Sequence, residues 1–257
     1  MAINPDGLIG RMLHQRALRR WQAAARAAVT ADLSALRAQR QQARQLRNPL
    51  RELTYIANDR LALPRIGTNT FPRPAGTDWA WRPQLWRGAL PERGIAPALN
   101  KQRLGPDLGV FHDCPANEIS LRQVRNTRDD DLAAFGVTVE VFQFDGSFLS
   151  LVLDLPQGAC TGLQRRHLIR LTTALDRERP IRLYTRLNVK HGPNTEQILL
   201  SLPETTDEGH VEFDLAYSQL NEKRAEKMWI DLIFENPAMN RITLRDLNIC
   251  RFPRAEV

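Results

Sequence analysis

The spacing of apolar positions changes once along this chain, from a helical period before about residue 60 to a period of two beyond it. Residues 8–47 hold no proline and, after Gly10, no glycine, while Ala, Leu, Gln and Arg dominate them. That composition favours helix. At about 100 degrees per residue, Leu18, Trp21, Ala25, Ala28, Val29, Leu36, Ala43 and Leu46 fall on one side, and Arg16, Arg19, Arg26, Arg37 and Arg44 on the other. The apolar stripe is narrow and mostly alanine, so it buries little area for its length. A register change is expected near residues 30–32, where Thr30, Asp32 or Ser34 can cap a second helix. Asn48-Pro49 is expected to end the run, and residues 50–59 to form a short further helix before Pro64.

Residues 61–78 read as a connector, because Pro64, Gly67, Pro72, Pro74 and Gly76 leave no room for a regular element. Beyond it, residues 181–190 alternate Ile181, Leu183, Thr185, Leu187 and Val189 with Arg182, Tyr184, Arg186, Asn188 and Lys190, the pattern of a half-buried strand. Similar runs occupy residues 137–144, 148–155, 168–175, 195–202, 211–217, 228–234 and 242–249, with another strand expected across 79–86. Asp145-Gly146 is expected to join the first two of these as a hairpin. Residues 88–133, broken by Pro91, Pro97, Pro106 and Pro115, read as an excursion with one or two short strands. No internal repeat is visible. Strands without intervening helical pattern predict a mainly β chain, because parallel pairing needs long crossovers. The expectation is an antiparallel β-sandwich over 79–257, behind the connector 61–78 and an α-helical arm over 1–60.

Charge sharpens that division. The first sixty residues hold eleven arginines, no lysine and four acids, a surplus equal to the whole chain's net +7. The remainder is balanced. Such an arm meets an anionic surface or docks on a partner. No run approaches the length of a transmembrane helix, and Arg16, Arg19 and Arg20 interrupt any secretory core, so the chain is expected in the cytoplasm, peripheral at the inner membrane if the arm binds lipid. Cys114, Cys160 and Cys250 are widely spaced, which predicts free thiols.

The tryptophan-bearing segment Asp78-Trp79-Ala80-Trp81-Arg82-Pro83-Gln84-Leu85-Trp86-Arg87 and the closing run Arg241-Ile242-Thr243-Leu244-Arg245-Asp246-Leu247-Asn248-Ile249 resemble a galactose-binding-like jelly roll, the sandwich of many carbohydrate-binding modules. This resemblance implies a non-catalytic glycan-binding role. The body also resembles an uncharacterised alphaproteobacterial family of unknown function, through Tyr184-Thr185-Arg186-Leu187-Asn188-Val189-Lys190-His191-Gly192-Pro193-Asn194-Thr195-Glu196 and Asn221-Glu222-Lys223-Arg224. No activity comes with it.

Two readings stand for the candidate ligand-binding residues. Trp79, Trp81 and Trp86, or Trp229, can stack on the C–H face of a pyranose, or can pack in the core as large rings usually do. Arg182, Tyr184, Arg186, Asn188 and Lys190, with His191 and Asn194 in the following turn, present donors about 7 Å apart to hydroxyl, carboxylate or phosphate groups. Alternatively, their cations pair across the sheet with Glu212, Asp214, Asp231 and Glu235. The histidines show no ligand spacing, His112-Asp113-Cys114 is better read as an inert thiol beside an imidazole, and the acids at 129–131 as a solvated turn. No metal, cofactor or catalytic group is expected.

For the arm, Arg16, Arg19, Arg26, Arg37 and Arg44 are the docking candidates. An anionic membrane, a protein partner, its own body and a second copy forming a homo-oligomer all remain open. Nucleic acid is disfavoured by the scarcity of aromatics to stack bases.

Overall fold

Period-two segments pair into two antiparallel sheets whose apolar faces meet. The computed structural model describes residues 8–61, 70–203 and 208–254. It divides into two compact units, Met1–Leu63 and Pro64–Val257. The larger holds β1 (Trp79–Trp81), β2 (Gly94–Ile95), β3 (Arg103–Leu104), β4 (Leu108–His112), β5 (Ile119–Arg125), β6 (Phe135–Val141), β7 (Leu149–Asp154), β8 (His167–Arg177), β9 (Leu183–His191), β10 (Asn194–Ser201), β11 (Glu208–Asp214), β12 (Ala225–Phe234) and β13 (Asn240–Pro253). One sheet runs β11-β8-β13-β6-β5-β2, with β1 also on β13, and the other runs β10-β9-β12-β7-β4-β3. The chain crosses between sheets repeatedly, in a jelly-roll sandwich. Alternation puts Leu149, Leu151 and Leu153 of β7, Leu187 and Val189 of β9, and Ile230 and Leu232 of β12 in one core with Ile169 and Leu171 of β8 and Val137 and Val139 of β6.

Several local expectations change. Asp145-Gly146 is not a hairpin: β6 and β7 lie in different sheets, and the loop between them crosses over. Asp113 holds that crossing, accepting from the amide of Ser147 at 2.7 Å and that of Phe148 at 3.2 Å. Residues 88–133 supply four strands, β2 to β5, two of them short enough to fall between the prolines. The opening strand stops at Trp81, because Pro83 starts a one-turn helix, α1 of this unit (Gln84–Arg87). The acids at 129–131 are not all solvated, since Asp131 is buried against Arg245 at 2.6 Å. Residues 70–78 carry no regular element, and residues 62–69 of the connector lie outside the described residues.

Arg245 is an extra residue in β13. Leu244 opposes Leu175 of β8, whereas Asp246 opposes Ala174, so the register slips by one at a bulge. Before it Ile242 and Leu244 face the core, and after it Leu247 and Ile249 do. The slip turns Arg245 toward Asp131 and Asp176 and leaves Asp246 for Arg82.

In the arm, α2 (Leu8–Ala27) and α3 (Leu33–Leu61) are joined by a short turn. Of the three capping candidates, Asp32 acts: its carboxylate accepts from the Ser34 amide at 3.0 Å and from the Ser34 hydroxyl. Those bonds hold its pKa below the usual carboxylate value. α3 does not end at Asn48-Pro49, as expected, but runs through Pro49. The proline forfeits its bond to the Gln45 carbonyl, and strong helix formers on both sides carry the helix past it.

His167 gives the sandwich an acid sensitivity. Its ring is buried, its Nδ1 accepts from the Gln164 amide at 3.0 Å, and its Nε2 lies 3.5 Å from Asp78. Burial lowers its pKa, against the upward pull of Asp78. The unfolded chain therefore takes up a proton near the ordinary value of about 6.5 before the folded one does, and the histidine's contribution is lost as pH falls from there through its folded value. Melting curves at pH 7.5 and 5 should show a larger acid-induced drop, by roughly a degree or more, for wild type than for His167→Gln.

Candidate functional site

Strand alternation makes the outward face of the β10-β9-β12-β7-β4 sheet the place where the polar side chains of β9 meet aromatic rings. Trp229 of β12 sits opposite Asn188 of β9 and Asp154 of β7, and Asp231 opposite Arg186 and Val152. Ile233 lies opposite Tyr184 and Ser150, and Phe111 of β4 opposite Ser150. Phe148 precedes β7 in the same outward phase. Between these positions lies a groove of about 410 Å³, walled by Phe111, Phe148, Trp229 and Ile233 on one hand and by Ser150, Arg186, Asn188, Gln197 and Asp231 on the other.

Four of these polar side chains form a connected network. The Arg186 guanidinium donates through Nε to Asp231 Oδ2 at 2.7 Å, with Nη2 at 2.6 Å. Asn188 Nδ2 donates to the same oxygen at 3.1 Å, and Gln197 Nε2 donates to Asn188 Oδ1 at 2.9 Å. Asp231 and Asn188 are buried, so their positions are set by these bonds, while Arg186 is half-exposed and Gln197 exposed. Ser150 Oγ, buried beneath the groove, has no hydrogen-bond partner among the described residues. Such a group is normally satisfied, and an incoming hydroxyl can satisfy it. The rings add apolar faces: Phe148 is 43% exposed, and Phe111 and Trp229 are half-buried.

The other polar side chains in and just before β9 frame this groove without entering it. Arg182 lies 3.8 Å from Glu235, and Lys190 lies 3.4 Å from Glu226. Tyr184 is half-buried beside Arg182 and Arg186 on the outward face. Cross-strand pairing therefore occurs, but with Glu226 in place of Glu212 and Asp214, which pair with Arg170 and Arg254 in the other sheet's neighbourhood. His191 is buried at the end of β9, where its Nδ1 accepts weakly from the Asn221 amide at 3.4 Å. Asn194 is exposed and pairs with His191 across a two-residue turn, in which Gly192 takes a φ of 62° that a side chain would strain.

The tryptophans named from the opening segment belong elsewhere. Trp86 is fully buried, its indole N–H donating to the Leu244 carbonyl at 3.0 Å, so it cannot meet a ligand. Trp79 and Trp81 are half-buried, with ring centroids 6.5 Å apart, and pack against the core from the opposite sheet. The structure does not bring them to the β9 face. Phe111, Phe148, Ser150 and Gln197 went unnamed in the sequence. Their signal was an aromatic ring, hydroxyl or amide at an outward position: Phe148 and Ser150 alternate with the buried Leu149, Leu151 and Leu153.

His112 and Cys114 are buried neighbours. The Cys114 amide donates to His112 Nδ1 at 3.2 Å and its thiol approaches Asp145 at 2.9 Å, with His112 Nε2 on the Ala98 carbonyl at 2.9 Å. Each group has a hydrogen-bond partner. No group of three or more His, Cys, Asp or Glu among the described residues could hold a metal ion. No helix among them is long and apolar enough to cross a membrane.

The chain is similar to the enzymatically active domain of bacteriophage CBA120 tailspike protein 4, at 7% identity and a TM-score of 0.40, over 60% of this chain and 22% of that one. It is similar to the family 11 carbohydrate-binding module from Clostridium thermocellum, in complex with a β-1,3-1,4-mixed-linked tetrasaccharide, at 11% identity and a TM-score of 0.35, over 62% of this chain and 96% of that one. It is also similar to the C-terminal family 22 carbohydrate-binding module of Clostridium thermocellum Xyn10B, at 9% identity and a TM-score of 0.36, over 73% of this chain and 99% of that one. No curated protein matches it. Residues 1–257 match throughout the family described as a family of unknown function (DUF6478), and the chain belongs to that family.

Proposed function

We propose that this is a non-catalytic binding protein whose β9-β12-β7 face takes a glycan or glycoconjugate, and whose basic helical arm docks it on a partner. One observation carries the reading: a single groove sets Trp229, Phe111 and Phe148 beside Arg186, Asn188, Gln197 and the Ser150 hydroxyl, which has no partner among the described residues. A sugar ring needs that combination, because its C–H face packs on an aromatic ring while its hydroxyls both donate and accept.

Charge pairing narrows the ligand. Arg186 is neutralised by Asp231, Lys190 by Glu226, Lys227 by Asp154 and Arg182 by Glu235. An acidic glycan would have to displace a carboxylate from one of these cations, whereas a neutral one bonds to the groups as they stand. On an array of neutral and acidic glycans, full-length protein should retain a neutral one, and Trp229→Ala should weaken that signal about tenfold or more. Melting should move little, because the ring is only half-buried. Absence of any wild-type signal would displace this reading in favour of a scaffold whose sandwich contacts protein.

A further inference from the structure

The helical arm leaves much of its own apolar face uncovered. α2 and α3 run antiparallel, with Arg20 of the first reaching Gln42 of the second. Along this hairpin, Ala17, Leu18 and Trp21 face Ala43, Leu46 and Leu50 across an open, carbon-walled groove of about 640 Å³, with His14 and Arg47 at its rim. Leu18 remains 49% exposed, Leu46 45% and Leu50 58%. Two helices each present one stripe, and two stripes that meet still leave one side open. Four helices close such a seam.

Charge decides what closes it. Five arginines lie across the axis from the stripe, Arg16, Arg19 and Arg26 on α2 and Arg37 and Arg44 on α3, while Arg47 sits at the groove's rim. Were the groove laid on an anionic bilayer, these five guanidinium groups would face water, and the attraction that binds basic helices to lipid would act across the width of the hairpin. A second hairpin meets the groove with the same apolar ridge and keeps the same five arginines outside. The two basic faces are then separated by more than a helix diameter of about 10 Å, which is one Debye length at 0.1 M salt. A two-fold contact requires a surface that fits itself, and here Leu18, Trp21, Leu46 and Leu50 are both the walls of the groove and the knobs to fill it. Ala17 and Ala43 allow the helices to come close.

We infer that the arm is half of a four-helix bundle completed by a second copy of this chain.

Sedimentation of the full-length protein at micromolar concentration tests this directly. The expected mass is twice the 29.3 kDa of one chain. Leu18→Glu and Leu46→Glu should each raise the dissociation constant by about tenfold or more, since each places a charge in the closed seam. Replacing Arg16, Arg19 and Arg26 together with Gln leaves the seam untouched and should keep or tighten the dimer. Raising salt from about 0.1 M to about 0.5 M should also tighten it, because it screens the repulsion between the two basic arms. Circular dichroism distinguishes a monomeric arm from a melted one in the Glu variants, and the Gln variant must stay dimeric in either case. A monomeric wild type overturns the inference, as does a dimer that survives both Glu substitutions. A monomer that sediments with phosphatidylglycerol vesicles and is released by salt would make the bilayer the occupant instead.

Discussion

Trp86→Ala should lower the unfolding free energy by about 3–5 kcal/mol, the range for deleting a large buried ring. Its side chain is fully buried, so truncation leaves a void that the surrounding strands cannot close without losing their register. The same substitution removes the indole N–H that the Leu244 carbonyl accepts at 3.0 Å, just before the β13 bulge. Trp86→Phe keeps most of the volume and loses the donor, and should cost about 1–3 kcal/mol. Denaturant titration of the three proteins separates packing from hydrogen bonding. For a chain of this size the alanine variant's loss corresponds to a fall in melting temperature on the order of 10 °C. An equal loss in Trp229→Ala would place that ring in the core as well and take the groove away from it.

Trp86 also shows where the sequence could be read and where it could not. Alternation is legible wherever one strand face is buried and the other wet, and β7, β9 and β12 appear in the residues as they stand in the fold. From those three strands alone follows the row of outward side chains that carries Arg186 and Asn188. The partners across that row were not legible, because they depend on strand order. Phe111 reaches the groove only because β4 pairs with β7, and β4 was hidden in the proline-broken stretch 88–133. Asp145-Gly146 has the local chemistry of a hairpin, yet its flanking strands find better partners in opposite sheets, a choice made by tertiary packing. The segment around Trp86 looks extended until Pro83 is read as a helix-starting residue. In β13 the apolar phase moves from Ile242 and Leu244 to Leu247 and Ile249, which is the mark of a one-residue bulge in the sequence itself.

That bulge sets up the other large effect. Arg82 is 1% exposed and binds Asp246 in a fork, Nε to Oδ1 at 3.0 Å and Nη2 to Oδ2 at 2.8 Å, with its plane 4.9 Å from the Phe71 ring. Breaking such a pair strands a buried charge, at about 3–5 kcal/mol, whereas replacing both partners with apolar residues is nearly neutral or better. At neutral pH, Arg82→Met and Asp246→Asn should therefore each destabilise strongly, and Arg82→Met/Asp246→Leu much less than either. The two single variants should part company on acidification. Burial already raises the pKa of Asp246 against the pull of Arg82, and removing that cation raises it further. In Arg82→Met the folded state then binds a proton more readily than the unfolded one, so stability falls as pH rises through the window above the ordinary carboxylate value and is regained as pH falls. Asp246→Asn leaves a guanidinium that cannot shed its proton at any pH the fold survives. Measured against wild type at each pH, the deficit of Arg82→Met should shrink between pH 7.5 and 5 while that of Asp246→Asn does not. Parallel deficits would show that the cost lies in lost packing against Phe71 rather than in the stranded charge.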